Sequence, residues 1–321
     1  MGTRSDALFW IWFGAGLLLL SGVSLCIGAA SLFSGDMGAS WLIAVSRFPR
    51  TAAALLAGMG LALAGVVVQQ TVQNRLVEPS MTGTPESAML GLLAITLLMP
   101  GAPMMAKMAV GTLAALAGTA GFLMLATRVP RQDPMLLPLV GMIYGGIIGA
   151  VGLWIAWSTD LMQVLGIWRV GEFSGIIQGR YEMLWVVAVL AVLLYGVADR
   201  ITLLGLGETQ ARSLGLNYKQ TRALGLVIVA AITALVIVTV GTLPFVGLVA
   251  PNIVSRWRGD DLRANLPIIA VGGAGMVLAA DVIGRLVRYP YEIPAATVFS
   301  VFGAGVFLWL LYAAPARSSH G

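Results

Sequence analysis

The sequence predicts an all-α, polytopic membrane protein of about ten helices, and three observations carry that reading. Of 321 residues, 59% are hydrophobic and only 10% are Asp, Glu, Lys or Arg, where a soluble domain carries roughly 25% charged residues. Apolar runs of membrane-spanning length recur from one end of the chain to the other. The 40 glycines follow no period and Cys26 is the single cysteine, which removes collagen-like and disulfide-stapled folds. The net charge of +5 is therefore read loop by loop, as topology, before it is read as affinity for nucleic acid.

A helix needs ~20 mainly apolar residues to cross a bilayer, because lipid offers the backbone no hydrogen-bond partner. The first run, Ala7 to Phe33, is too long for a signal-peptide core and lacks a small-residue cleavage site, so it reads as a retained helix. Thr51–Gln70, Met104–Ala126, Met135–Trp157 and Leu184–Ala198 follow, and then Leu224–Thr242, Pro267–Leu286 and Ala295–Ala313. Ser87–Met99 and Leu243–Ser255 are apolar but short, the lengths of re-entrant or bundle-buried segments. Counting both as half-buried crossings gives ten helices and puts both termini on one side. The chain, 1–321, then forms one transmembrane unit: 7–198 holds six helices, 199–223 a loop, and 224–313 the last four.

The positive-inside rule sets the orientation. With the N-terminus inside, the inner segments hold 12 of the 19 basic residues, Arg4, Arg75, Arg128, Arg131, Arg200, Arg212, Lys219, Arg222, Arg256, Arg258, Arg263 and Arg317. The outer segments hold Arg47, Arg50, Lys107, Arg169, Arg180, Arg285 and Arg288. That division favours cytoplasmic termini and leaves the outer arginines to be explained. Two readings stand: they dock a carboxylate-bearing partner through bidentate bonds, or they anchor helix ends at headgroups.

Enzyme chemistry finds few groups to use. His320 is the only histidine and lies at the extreme C-terminus, so no His-based triad or His-rich metal site can be built. Cys26 reads as a small buried residue of the first helix and the 15 methionines as packing. Neither lysine, Lys107 or Lys219, follows the glycines of a phosphate-binding loop, so an active transporter built on this chain draws its energy from an ion gradient or from a partner ATPase. Inside the predicted spans the one acid is Asp281, with Arg285 a turn later, which reads as a local ion pair more simply than as a proton relay. Gly141, Gly145 and Gly149 share a helix face and mark either close packing or the lining of a path.

The inner loop Gly205–Asn217 holds a short amphipathic segment from Glu208 to Leu214, stopped by Gly215 and flanked by Arg212, Lys219 and Arg222. It reads either as an interfacial helix or as a docking knob for another protein. Here the residues meet a family. Glu208, Ala211, Leu214 and Gly215 resemble the Glu-x-x-Ala-x-x-Leu-Gly coupling segment of ABC-importer permeases of the FecCD/cobalamin class. Arg47-Phe-Pro-Arg50 with Ala54–Gly58 and Leu61–Gly65 resembles the opening of that family's second helix. Gln73-Asn-Arg75 and Glu78-Pro79 resemble its next loop, and Gly241, Phe245–Leu248, Pro251, Arg256, Gly259-Asp260 and Arg263 a later segment. Leu278–Asp281, Arg285, Glu292–Pro294 and Gly303 close a match running from about 45 to 313. Asn252 stands where many members have His, and Asn74–Thr84 departs from the commoner Asn-Pro-Leu-Ala-x-Pro. That variant resembles the ferric-siderophore branch.

The resemblance implies the inverted-repeat fold of type II ABC importer permeases, and the equal spacings Arg50 to Pro79 and Arg222 to Pro251 agree with two related halves. It implies a permease dimer in a bacterial inner membrane, a heterodimer more than a homodimer, moving a ferric siderophore from periplasm to cytoplasm. Two ATPase subunits with ATP and Mg would sit below, a periplasmic binding protein above and lipid around; no nucleic acid is implied. Glu208, Ala211, Arg212, Leu214 and Gly215 would couple to the ATPase, and Arg47, Arg50, Arg285 and Arg288 would meet the binding protein. Asn74, Pro79, Gly83, Phe245 and Pro251 are gate or pathway candidates, the Asn74–Thr84 loop being equally readable as an ordinary turn. The second, fifth and eighth helices would line a weakly interacting path, and this chain would hold no cofactor or metal, the iron travelling inside its chelator. A permease of the same class for cobalamin or haem is the nearest alternative; an intramembrane enzyme or scaffold subunit is remote.

Overall fold

The computed structural model describes residues 3–28, 38–75, 77–126, 128, 136–259 and 261–312. Arg131, Asp260, Arg317, His320 and the side chain of Arg4 lie outside the described residues. The helices of the first half are α1 (Thr3–Cys26), α2 (Ala39–Leu42), α3 (Phe48–Val72), α4 (Thr84–Leu98), α5 (Met104–Ala126), α6 (Leu136–Ser158) and α7 (Met162–Arg169). Those of the second are α8 (Trp185–Gly196), α9 (Ala198–Leu204), α10 (Glu208–Ser213), α11 (Tyr218–Val240), α12 (Val246–Arg258), α13 (Leu262–Val287) and α14 (Ala295–Tyr312). Among the described residues five helices are long and apolar enough to cross a membrane, and six when the pair α8–α9, bent by 70°, is counted as one span. That crossing therefore runs on to Leu204, beyond the expected end at Ala198.

Helix α3 is the centre of the bundle. Pro49 suits its first turn, where a missing N–H costs nothing. The residues that follow are almost all Ala, Gly, Leu and Val, and 89% of the span's apolar window is buried. Its partners run antiparallel to it: Arg50 meets Asp281 and Gly58 meets Gly273 on α13, while Gly60 lies beside Ile232 and Val67 beside Gly225 on α11. Small residues allow backbone-to-backbone contact where no hydrophobic effect drives helices together. At Gly65 the approach is extreme, since a Cβ there would stand 1.8 Å from the Gly247 carbonyl oxygen of α12.

The two short segments are half-helices. α4 has 15 residues and α12 has 13, and each starts inside the bundle from a residue in the left-handed region, Gly83 at φ +72° and Phe245 at φ +67°. α4 runs antiparallel to α5, with Gly91 on Ala114 and Ser87 on Gly118, and parallel to α6, with Glu86 on Gly149 and Leu93 on Gly152. The order long, half, long, long thus occurs in α3–α6 and again, with opposite direction, in α11–α14. With α1 and α8–α9, these helices run between an end marked by Arg50 and an end marked by Glu208, the two half-helices covering only part of that distance. The remaining fold follows from caps: the Asn217 side chain accepts the Gln220 N–H at the start of α11, and Asp261 accepts the Ala264 N–H at the start of α13.

Candidate functional site

At the middle of the bundle the loop that joins α3 to α4 touches the N-termini of both half-helices. A helix start leaves backbone N–H groups without intrahelical partners, and lipid cannot satisfy them. Glu78, 6% exposed, accepts the Phe245 N–H and the Ser80 hydroxyl, so a carboxyl group sits at the start of α12. Pro79 is buried against Gly247, and the Gln69 amide donates to the Gly247 and Val77 carbonyls at 3.0 and 3.4 Å. A hydroxyl chain pins the other half-helix: Thr82 donates to the Pro79 carbonyl, and Thr82, Thr84 and Thr119 follow one another at 2.6 and 2.7 Å. Of the gate candidates, Pro79 packs on Gly247 just after Phe245, whose ring lies on Gly303 and beside Phe307, while Gly83 lies against Tyr144 and Gly145 of α6.

Asn74 and Pro251 stand nearer the Glu208 end. Asn74 closes the turn after α3, its N–H donating to the Gln69 carbonyl and its carbonyl accepting the Val77 N–H. Pro251 lines a cavity of about 400 Å³ together with Gln69, Gln73, Asn252 and Asn265. Amides here staple broken backbone to helices: Asn252 donates to the Arg75 and Leu248 carbonyls, and Gln73 to the Gly205 carbonyl. Asn252 is thus a structural donor for the loop before Glu78.

The short helix expected after Gly207 forms. α10 begins at Glu208, Arg212 pairs with Glu208 at 2.6 Å, and Gly215 at φ +82° ends the segment. Ala211 is fully buried on Leu204 and Tyr218, which fixes α10 to α9 and α11, while Leu214 is 61% exposed and points an apolar group away from the bundle.

The Arg50 end differs from expectation. Arg47 is 7% exposed and Arg285 4%, and both turn inward. The Arg47 Nη1 donates to the Leu25 and Cys26 carbonyls at 2.8 and 2.9 Å, and the Arg285 Nη1 to the Ser24 and Ile27 carbonyls at 3.0 Å. These are the orphan carbonyls at the C-terminal end of α1, where cations are favoured. Asp281 receives Arg50 Nη2 and Arg285 Nη2, each at 2.7 Å, and Arg50 Nη1 reaches Glu292 at 2.9 Å. The local Asp281–Arg285 pair holds, but a partner's carboxylates are not needed to stabilise Arg47, Arg50 or Arg285, because the chain supplies its own acceptors. Arg288 alone of the four is exposed, over the ring of the exposed Tyr291.

Three further expectations are corrected. Cys26 is exposed at the end of α1 instead of buried within it. Asp281 is not the only acid within the spans: Glu86, one residue before the expected start of its helix, lies in the first turn of α4 against Gly145 and Gly149 of α6. Those glycines serve packing on the half-helix. Of the three helices expected to line a path, α3 is enclosed by its own chain, and α6 presents the long exposed apolar face, including Met142, Ile143, Ile147, Trp154 and Trp157. The short α7 was not foreseen; its one buried residue, Leu165, packs on Met89, Leu93 and Ala156, a signal too brief to separate from a loop.

Known proteins share this arrangement. The chain is 40% identical over 301 residues to the petrobactin import system permease protein YclN of Bacillus subtilis, covering 92% of this chain and 95% of that one. It is 36% identical over 306 residues to the ferric-anguibactin transport system permease protein FatD of Vibrio anguillarum, covering 92% and 97%. A solved structure described as an inward-facing conformation of a metal-chelate type ABC transporter superposes with a TM-score of 0.85 at 24% identity, over 96% of this chain and 100% of that one. Residues 11–313 match the family described as the FecCD transport family, and with that match and those relatives the chain belongs to it.

Proposed function

We propose that this chain is the permease subunit of an ATP-driven importer carrying a ferric siderophore from the periplasm to the cytoplasm across a bacterial inner membrane. The observation that carries the substrate class is likeness, over nine-tenths of the chain, to permeases named for petrobactin and ferric-anguibactin. The whole chain acts as one transmembrane unit whose 199–223 segment presents the knob, with the Glu208 end cytoplasmic. ATP and Mg belong to two partner ATPase subunits, whose closure presses on α10 as a lever and shifts the population of permease states. The rigid mounting of Ala211 and the exposed Leu214 support that role. At the Arg50 end we place the binding-protein face, with Arg288 as its direct contact and Arg47, Arg50 and Arg285 holding the helix ends that shape it. The second permease docks on the apolar face of α6, a related chain more than an identical one.

The test is uptake of labelled ferric petrobactin and ferric anguibactin in a strain lacking this chain, with and without its return on a plasmid. Restored uptake of a ferric siderophore supports the reading; restored uptake of cobalamin or haem with no ferric siderophore moved would replace it.

A further inference from the structure

We propose that Glu86 and Arg169 form a switchable ion pair, parted in this conformation and joined in another stage of the transport cycle. Glu86 Oε2 is buried and has no hydrogen-bond partner. A buried acceptor left unmade is expensive and calls for an account. Among the described residues Arg169, at the end of α7, forms no hydrogen bond or ion pair through its guanidinium.

The two groups face the same strip of α6. A Cβ on Gly149 would lie 3.2 Å from Glu86 Cγ and 3.9 Å from Arg169 Nη2, and one on Gly145 would lie 3.1 Å from Glu86 Oε2. With glycine at both positions no side chain of α6 stands between carboxylate and guanidinium. Two neighbouring groups are engaged elsewhere: Lys107 of α5 donates to the Pro100 carbonyl and Tyr144 of α6 to the Gly118 carbonyl. Arg169 is the cation whose field reaches Glu86.

The backbone at Arg169 supplies the lever. Its carbonyl accepts the Thr242 hydroxyl at 2.6 Å, and Val170 bridges Thr242 in parallel. Thr242 leads into Phe245 and the half-helix α12. Glu86 opens the other half-helix, α4. A shift at the start of the second repeat therefore moves Arg169 relative to the start of the first, and closure of the pair fixes the corner between α6 and α7 on α4. Glu86 and Arg169 are positioning residues in this scheme: neither needs to touch the cargo.

The inference rests on the ATP-driven cycle proposed above. Its test uses the assembled complex, with Cys26→Ser as background and Glu86→Cys with Arg169→Cys as the reporter pair. A short bifunctional thiol reagent is applied nucleotide-free and with ATP trapped by vanadate. Cross-linking is expected to differ at least about fivefold between the two states, a typical coupling factor; equal yields would overturn the proposal. Where cysteine at either position prevents assembly, Glu86→Gln, Arg169→Gln and the double variant are compared for ATP hydrolysis stimulated by the binding protein. The double variant is expected to be no worse than either single one, and purely additive losses would sink the idea. A wild-type complex that hydrolyses ATP yet imports no ferric chelate counts against the cargo assignment and leaves the cross-linking comparison standing.

Discussion

Replacing Asp281 by Asn tests whether the buried arginines are held by the chain itself. The two side chains have nearly the same shape, so the perturbation is mainly one charge. In the native protein Asp281 is 2% exposed and receives Arg50 through Nε at 3.2 Å and Nη2 at 2.7 Å, and Arg285 through Nη2 at 2.7 Å. Breaking a buried pair by removing one partner costs about 3–5 kcal/mol, because a charge is left uncompensated. Arg50 keeps Glu292 and is 13% exposed, and Arg285 keeps Ser24 and the Ile27 carbonyl, which argues for the lower end. About 3 kcal/mol is roughly a 150-fold shift of the unfolding equilibrium. Denaturant unfolding of the detergent-solubilised protein, followed by tryptophan fluorescence, measures it. The stronger form of the argument is a ranking. Asp281→Leu combined with Arg285→Met removes both charges and should cost less than Asp281→Asn alone. An Asp281→Asn protein as stable as the native one, or the reverse ranking, would refute the network as described.

Other outcomes follow from the same geometry. Gly65→Ala forces a methyl to within 1.8 Å of the Gly247 oxygen, so backbone must move, and a loss of about 1–3 kcal/mol should appear in the same unfolding assay. Leu214→Asp leaves folding intact because the side chain is 61% exposed, but it should lower uptake at least about tenfold while ATP hydrolysis by the partner continues. Arg288→Glu, on an exposed residue, should weaken capture of the binding protein about tenfold at low salt, with the difference shrinking as ionic strength rises.

The long apolar spans, the two short segments and the α10 helix were legible because hydropathy over a span and a helix-stop glycine are local signals. The gate candidates Pro79, Gly83 and Phe245 were found as isolated motif residues, and the packing of Pro79 on the start of α12 was not legible in them. What escaped reading was reach. Arg47 looked exposed because nothing local satisfies it, and Arg285 because its local partner Asp281 leaves donors over; the remaining acceptors are carbonyls at the end of α1, more than 20 residues away in Arg47's case and over 250 in Arg285's. Glu86 escaped for the opposite reason: it falls at the edge of an apolar run, where a single acid looks like a boundary, while Gly145 and Gly149 that receive it lie about two helices later. No composition window registers a cavity made by a missing side chain on a neighbouring helix.

The enclosure of α3 has a consequence for biosynthesis. Its packing partners α11, α12 and α13 emerge from the ribosome only after some 150 further residues, so the central helix of the fold enters the bilayer with most of its eventual neighbours unmade. It can wait there because a span of mean hydropathy 2.1 is at home in lipid. The half-helix α12 has no such refuge: it is too short to span and becomes a stable element only by docking onto a helix already in place. Assembly of the core is thus a late event that joins first and second halves at once, and a chain truncated after α10 should persist as inserted helices without ever forming the bundle.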